Sequence, residues 1–296
     1  MTDNVKMMFE VETLVNASPA TVSRAGIIYV SDTDLDWAPV ATAWVQIRPD
    51  ADRKELLQSF FDKWMGDNTP VDPGHCYDFL NRNTSEVMKE GRVGRISSLC
   101  QLFVGLTEGA KAPALNGAMK VELEKFFLYS LCWSVGGLLE ADDRLKFDQW
   151  LRDQDSNGAM PTVDEGETIF EYFVNPETLD WEKWVPVKWS YPEGDKLDFA
   201  NLLVPTMDST RAIALVKNMH SQRHPVLMVG GPGTAKTSVA LMFFGGLDPA
   251  KMLLKKINFS SATTMGGFQT TIEGELDKRG GKTFGPPGGR HMTVFL

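Results

Sequence analysis

A glycine-rich loop followed by lysine and threonine is the stretch of this sequence best suited to chemistry. Its residues are, in order, Gly230, Gly231, Pro232, Gly233, Thr234, Ala235, Lys236, Thr237 and Ser238. The spacing approximates the pattern G-x-x-x-x-G-K-[ST], in which backbone N–H groups of the loop cradle phosphates. We expect Lys236 to reach the terminal phosphates and Thr237 to offer its hydroxyl to Mg²⁺. The motif therefore predicts a site for ATP or ADP with Mg²⁺.

One position of this loop departs from the pattern, because Ala235 stands where the second glycine belongs. Alanine keeps the N–H group but disfavours positive φ, so we expect the loop to form only if Ala235 is right-handed. The alternative interpretation is an ordinary glycine-rich turn. The apolar run 225–229, which predicts a buried strand, and the adjacent Lys236 and Thr237 favour the phosphate-binding loop.

Composition restricts the class of protein. A length of 296 residues suggests about two domains. The content of 43% hydrophobic and 23% charged residues is typical of a soluble globular chain. A net charge of −9 argues against nucleic acid as the main partner. No apolar run reaches the roughly 18 residues of a membrane span, so no membrane association is predicted.

Residues that often bind metals show no metal-ligand spacing. Cys76, Cys100 and Cys132 are widely separated and predict reduced cysteines in a core, and the four histidines are scattered. The polar stretch 153–159 begins like a calcium loop but has no glutamate at the twelfth position. The only metal predicted is the Mg²⁺ that would accompany a nucleotide.

The middle of the chain, from residue 37 to about 155, is predicted to be a helical bundle. Apolar residues recur there at helical spacing and indicate core-facing stripes. The first stripe lies on a helix that is predicted to begin near Ala51. The four stripes are Leu56, Leu57, Phe60, Phe61, Trp64 and Met65; Val93, Ile96, Leu99, Cys100, Phe103 and Leu106; Leu123, Phe126, Phe127, Leu131, Val135, Leu138 and Leu139; and, in a shorter helix, Leu145, Trp150 and Leu151. The acidic residues Glu140, Asp142 and Asp143 are expected on solvated faces.

Shorter elements flank this bundle. Strands are predicted at 5–11 and 27–30, and Ser18 followed by proline predicts a helix over Pro19–Arg24. From the residues alone, Arg24 is equally well a surface residue favoured by the helix dipole or a functional cation. Aromatic runs at 168–174 and 181–185 predict a hairpin.

The C-terminal third has the order of a parallel α/β core. After the strand at 225–229, we predict helix 236–244, strand 253–259, helix 268–278, a turn or hairpin over 280–290 and strand 292–296, with helix 208–220 preceding the loop. The chain stops inside that last apolar strand. We therefore expect a piece of a longer protein or a truncated gene model.

Two separated stretches resemble the dynein heavy chains, whose motor is a ring of AAA+ modules. Residues 8–30, around Phe9 and the segment 17–24, are similar to the end of the large subdomain of the second module. Residues 201–296 are similar to the start of the third module, through the segments 203–206, 230–237, 258–264, 277–279, 284–288 and 292–295.

The resemblance implies an AAA+ P-loop NTPase fold, α/β, with a helical lid subdomain followed by a truncated parallel α/β large subdomain. The expected divisions are 1–36 for the end of the second large subdomain, 37–160 for its lid, 161–200 for a strand-bearing connector and 201–296 for the start of the third large subdomain.

The resemblance also implies roles that spacing does not assign. Arg24 matches the arginine finger that reaches in trans into the nucleotide site of the neighbouring module. Leu203, Val204 and Pro205 match the segment that packs on the adenine. The acidic pair that binds Mg²⁺ and polarises water would follow Leu296, so we expect this chain alone to bind nucleotide without hydrolysing it.

The parent protein implied by the resemblance is an ATP-driven, minus-end-directed microtubule motor of cilia and flagella, of axonemal rather than cytoplasmic type. Its partners would be the remainder of the heavy chain ring, the intermediate and light chains and microtubules, and its place the cytoplasm, cytoskeleton and axoneme. A non-hydrolysing nucleotide-binding or assembly scaffold derived from an AAA+ protein is the alternative. An isolated P-loop kinase or another AAA+ ATPase would leave Arg24 and the long helical lid unexplained.

Overall fold

The computed structural model describes residues 8–30, 36–66, 76–88, 90–108, 118–191 and 202–296. The α-helices are α1 (Pro19–Arg24), α2 (Trp37–Gln46), α3 (Ala51–Trp64), α4 (Cys76–Asn83), α5 (Arg92–Thr107), α6 (Lys120–Ser134), α7 (Ala141–Gln154), α8 (Met207–Ser221), α9 (Lys236–Gly245) and α10 (Met265–Glu273). The strands are β1 (Tyr172–Asn175), β2 (Asp180–Lys183), β3 (Met252–Lys256), β4 (Asp277–Gly280), β5 (Thr283–Gly285) and β6 (His291–Phe295).

Helices α2 to α7 form the predicted helical part and enclose the main apolar core. The periodic residues of α3, α5 and α6 face inward except Val93, which is predicted in the core stripe of α5 but is 37% exposed near the start of that helix. Phe127 contacts Phe60, Phe61 and Phe103 with ring centroids 5.1 to 6.3 Å apart. Interlocking aromatic rings bury a large apolar area and prefer such tilted and edge-on contacts. All three cysteines are buried and free, as the sequence predicts.

Two further expectations for this part are wrong in detail. Leu145 was expected to face the core but is 49% exposed, whereas Phe147 on the same helix is fully buried. Asp143 was expected on a solvated face but is buried. It accepts hydrogen bonds from the backbone N–H and the hydroxyl of Ser85 and from Lys146. These partners compensate the carboxylate for the water it loses on burial.

The predicted hairpin is confirmed and packs on α6. Strands β1 and β2 pair antiparallel, with Val174 opposite Trp181. The indole of Trp181 donates to the carbonyl oxygen of Ala159 at 2.7 Å, and Trp184 lies 4.3 Å from the ring of Phe173. These tryptophans fix the hairpin and the preceding turn to the helical core.

The C-terminal part contains the predicted α/β elements with different bounds, except the strand at 225–229. Strands β3 and β6 pair in parallel, with Leu254 opposite Thr293. Strand β3 ends at Lys256 rather than 259, and α10 ends at Glu273 rather than 278, because Gly274 closes the helix and Asp277 already begins strand β4. The β4–β5 hairpin occupies part of the predicted turn region.

Three predicted strands are not formed by the described residues. Residues 8–11, 27–30 and 225–229 lack ladder partners; residues 5–7 lie outside the described part. Ile28 and Leu227 are more than four-fifths exposed. Apolar sequence alone does not make a strand, because its backbone groups need a neighbour to bond.

None of the described helices combines the length and apolarity needed to cross a membrane. Among the same residues, no group of three or more His, Cys, Asp or Glu side chains is arranged to hold a metal ion.

Candidate nucleotide site

The predicted phosphate-binding loop turns back on itself around the ammonium group of Lys236. Lys236 Nζ donates to the carbonyl oxygens of Gly230 at 2.9 Å and Gly231 at 2.5 Å, and to Thr234 Oγ1 at 3.1 Å. Thr234 Oγ1 also donates to the carbonyl oxygen of Gly231 at 2.8 Å. Oxygen atoms of the loop therefore surround the ammonium group of Lys236.

The backbone of the loop contradicts the expectation for Ala235. This residue has φ 59° and ψ 16°, which is left-handed, and Gly233 has φ 77°. The loop thus forms with Ala235 in the conformation that favours glycine. A non-glycine residue there costs roughly 1–2 kcal/mol. Ala235 bears this strain because it is the residue at which the chain passes from the loop into α9.

Helix α9 begins directly after Ala235, so its first N–H groups open toward the loop. The first bond from a helix N–H back to the loop runs from Val239 N to the carbonyl oxygen of Ala235 at 2.9 Å. The N–H groups of Lys236, Thr237 and Ser238 precede it and have no intrahelical acceptor. Together with the helix dipole they favour an anion at this end.

Thr237 is exposed in the first turn of α9, beside Lys236. Mg²⁺ prefers oxygen ligands, keeps several waters and commonly binds one or two protein oxygens plus the phosphates of a nucleotide. A single hydroxyl at this position fits that requirement. When bound, the ion would neutralise phosphate charge.

The segment expected to contact adenine precedes α8. Leu203 and Pro205 are half-buried and Val204 is exposed, in extended backbone that ends where Thr206 caps α8. No hydrogen bond or ring contact of residues 202–296 joins this segment to the loop. The apolar side chains of this segment are therefore partly exposed and not in bonded contact with the loop.

Helix α8 connects to the phosphate-loop helix through His220, which sequence reasoning did not single out. Its ring packs edge-on against Phe243 of α9 at 5.1 Å, and its Nε2 atom lies 2.8 Å from Thr293 Oγ1 of β6. Partial burial lowers the pKa of His220 below its ordinary value. The sequence gives no signal for this contact, because His220 and Phe243 lie on two different helices.

Arg24 lies at the end of α1, exposed, with Ser18 capping the helix through a bond from Thr21 N. Across the described residues, no hydrogen bond or ion pair joins Arg24 to the loop at 230–237. The predicted cap and helix are confirmed, and the two predicted site elements are not brought together within this chain.

Comparison with known proteins decides the family. Residues 57–185 match the family model for the dynein heavy chain AAA lid domain, and residues 191–296 match the model for the P-loop containing dynein motor region. The chain is also 40% identical, over 304 aligned residues, to the dynein gamma chain of the flagellar outer arm of Chlamydomonas reinhardtii. The chain belongs to the dynein heavy chain family. In this dynein chain, the C-terminal half of α3, the helices α4 to α7 and the β1–β2 hairpin lie within the lid match, and the loop and α9 lie within the motor-region match.

Other dynein heavy chains show a similar relationship. The identity is 35% over 300 residues to dynein axonemal heavy chain 8 of Mus musculus and 33% over 301 residues to dynein axonemal heavy chain 2 of Homo sapiens. Each alignment, including that to the gamma chain, covers 100% of this chain and 6% of the relative. The chain thus spans about one-sixteenth of the length of these dyneins.

Proposed function

We propose that this chain supplies a nucleotide-binding loop of a regulatory AAA+ site within an axonemal dynein heavy chain. The loop around Lys236 supports this proposal most directly, since it combines a tethered ammonium group with the N-terminus of α9. ATP or ADP would place its phosphates against the first-turn N–H groups, and Lys236 would leave its carbonyl partners for the terminal phosphates. Thr237 would ligate Mg²⁺, and Leu203, Val204 and Pro205 would contact the adenine.

The proposed domain organisation keeps the expected divisions at 1–36, 37–160, 161–200 and 201–296. The continuous helical core of α2 to α7 supports a lid ahead of the loop-bearing part. In this arrangement the loop belongs to the third module and Arg24 to the second.

We propose that Arg24 acts as an arginine finger for a nucleotide site on a neighbouring module. Its exposed guanidinium at the end of a short helix is free to reach a partner surface. Such a cation stabilises charge developing on a transferring phosphoryl group. In the intact heavy chain, Arg24→Ala would lower the ATPase rate, whereas Arg223→Ala, at a surface turn, would not.

The whole protein, on this proposal, is an ATP-driven, minus-end-directed microtubule motor of the cytoskeleton, located in the axoneme of cilia or flagella. Its partners are the rest of the heavy chain ring, the intermediate and light chains and microtubules. The similar proteins support this assignment, because they include a flagellar outer arm chain and axonemal heavy chains.

The proposal is tested by Lys236→Ala in the intact heavy chain. Nucleotide binding at this site is expected to be lost and release from microtubules to slow. Lys251→Ala is the matched control, because Lys251 is an exposed lysine whose side chain makes only a surface ion pair, at 4.0 Å, with Asp248 among the described residues. Unchanged motility and nucleotide content in Lys236→Ala would contradict the proposal.

A further inference from the structure

Helix α8 packs against α5 of the helical part as well as against α9. Its C-terminal end carries two amide side chains, Asn218 and Gln222, that lie over the last turns of α5. Gln222 Nε2 donates to the carbonyl oxygen of Gln101 at 2.9 Å and to Asn218 Oδ1 at 3.0 Å. The bond to Gln101 joins the end of α8 directly to the backbone of α5.

The seat for these amides exists because residue 105 is glycine. A Cβ atom at Gly105 would lie 2.2 Å from Gln222 Nε2 and 2.3 Å from Asn218 Oδ1. Both distances are shorter than real contacts allow, so either amide would have to move. Glycine inside a helix is destabilising by about 1 kcal/mol relative to alanine. Gly105 therefore lowers the stability of α5, and the contact with α8 gives a physical reason for a glycine at this position.

A second contact fixes the other end of α8. Arg211 is buried, and its guanidinium lies 3.3 Å from the carboxylate of Glu171, in the 3-10 turn (Ile169–Glu171) ahead of β1. Between the two ends, Leu215 packs on the core of the helical part. Helix α8 is thus held along its length by the helical part, while its His220 contacts α9 and β6.

We propose that Gly105, Gln222 and Asn218 form an interdomain latch. The latch places the C-terminal end of α8 against α5 at Gly105, and so holds the C-terminal part, which carries the loop 230–237, on the helical part. This inference goes beyond the proposed function and does not depend on nucleotide binding. The latch sets where α8, and through His220 the helix α9, lie relative to the helical core.

Hydrogen–deuterium exchange of the α8 amides in the full chain tests the latch. A helix of 15 residues is marginal in water without packing, so release of α8 exposes its amides to exchange. In Gly105→Ala we expect α8 exchange to speed up about fivefold, the equivalent of one lost hydrogen bond. Gln222→Ala, which changes a half-buried amide and leaves the apolar core intact, is expected to have the same effect.

Gly94→Ala is the matched control, since it makes the same substitution in α5 where a Cβ meets only the exposed side chain of Glu90. It should leave α8 exchange unchanged. The double variant Gly105→Ala/Gln222→Ala should speed up α8 exchange by clearly less than the product of the two single effects, because both changes break the same bond from Gln222 to the carbonyl oxygen of Gln101. Unchanged α8 exchange in both single variants, or additive effects in the double variant, would overturn the latch.

Discussion

Lys236 Nζ lies 3.1 Å from Thr234 Oγ1, and that hydroxyl in turn donates to the carbonyl oxygen of Gly231. The side chain of Thr234 therefore joins the lysine to the opposite side of its own loop. The motif pattern treats the position of Thr234 as variable, yet here it shapes the loop around the ammonium group.

Replacing Thr234 with valine tests this role. Valine has the shape of threonine but lacks the hydroxyl. Lys236 Nζ therefore loses one hydrogen-bond acceptor, and the loop loses the bond from Thr234 to the carbonyl oxygen of Gly231. We expect the Kd for Mg·ADP to rise about fivefold, the equivalent of one hydrogen bond. Thr234→Ser should restore the wild-type Kd, and equal Kd values for the valine and wild-type chains would contradict the role.

Ala235→Gly is expected to stabilise the chain. Left-handed alanine costs roughly 1–2 kcal/mol, and the greater unfolded-state entropy of glycine offsets about 0.4–1 kcal/mol of the relief. The free energy of unfolding in urea should therefore rise by up to about 1.6 kcal/mol. Ala240→Gly, buried within α9, should instead lower it by about 1 kcal/mol or more. Destabilisation by both changes would show that residue 235 gains nothing from glycine.

Glu124 is a fully buried carboxylate that holds α3 and the turn after α7 to α6. It accepts from Lys63 Nζ at 2.6 Å, Trp64 Nε1 at 3.0 Å and Asn157 Nδ2 at 2.7 Å. Glu124→Gln removes the charge and turns one acceptor into a donor, so the free energy of unfolding should fall by about 2 kcal/mol. Glu55→Gln, on the exposed side of α3, should change it by less than about 0.5 kcal/mol. A similar loss in both variants would contradict the network.

Alkaline pH is expected to destabilise the helical part through its buried thiols. Burial raises the pKa of Cys100 to about 12 and raises the pKa of Cys76 and Cys132 well above the ordinary value. Because the folded pKa exceeds the unfolded one, the contribution to stability is full below the unfolded pKa and is lost as pH rises above it. Each thiol should remove up to about 1.4 kcal/mol per pH unit above the ordinary thiol pKa.

Urea unfolding at several pH values above the ordinary thiol pKa measures this slope. Cys100→Ala should reduce the slope by about one proton, although the variant is less stable at neutral pH because of the cavity it leaves. A slope identical to that of the wild-type chain would mean that Cys100 ionises equally in both states.

The sequence was sufficient to predict the helical core and the order of elements around the loop. Phe60, Leu99 and Phe127 each lie in an apolar stripe of helical period, and Ser18 before proline marks where α1 begins. The strand predicted at 225–229 was wrong because pairing depends on a partner strand, which apolar composition does not specify.

The details of the loop and its surroundings could not be predicted from the residues. Ala235 was expected to be right-handed from its intrinsic preference, and the entry into α9 overrides that preference. Gly105 offered no signal, because its role depends on Gln222, 117 positions later in the chain. Contacts between distant elements depend on packing that no local pattern encodes.

Isothermal titration of the full chain with Mg·ADP tests the central claim, the nucleotide site, most directly. The wild-type chain and Lys251→Ala should give the same saturable binding. Lys236→Ala should weaken it at least about tenfold, since charge-assisted hydrogen bonds contribute about 1.5–3 kcal/mol. An identical Kd in Lys236→Ala, or no saturable binding by the wild-type chain, would contradict the nucleotide site.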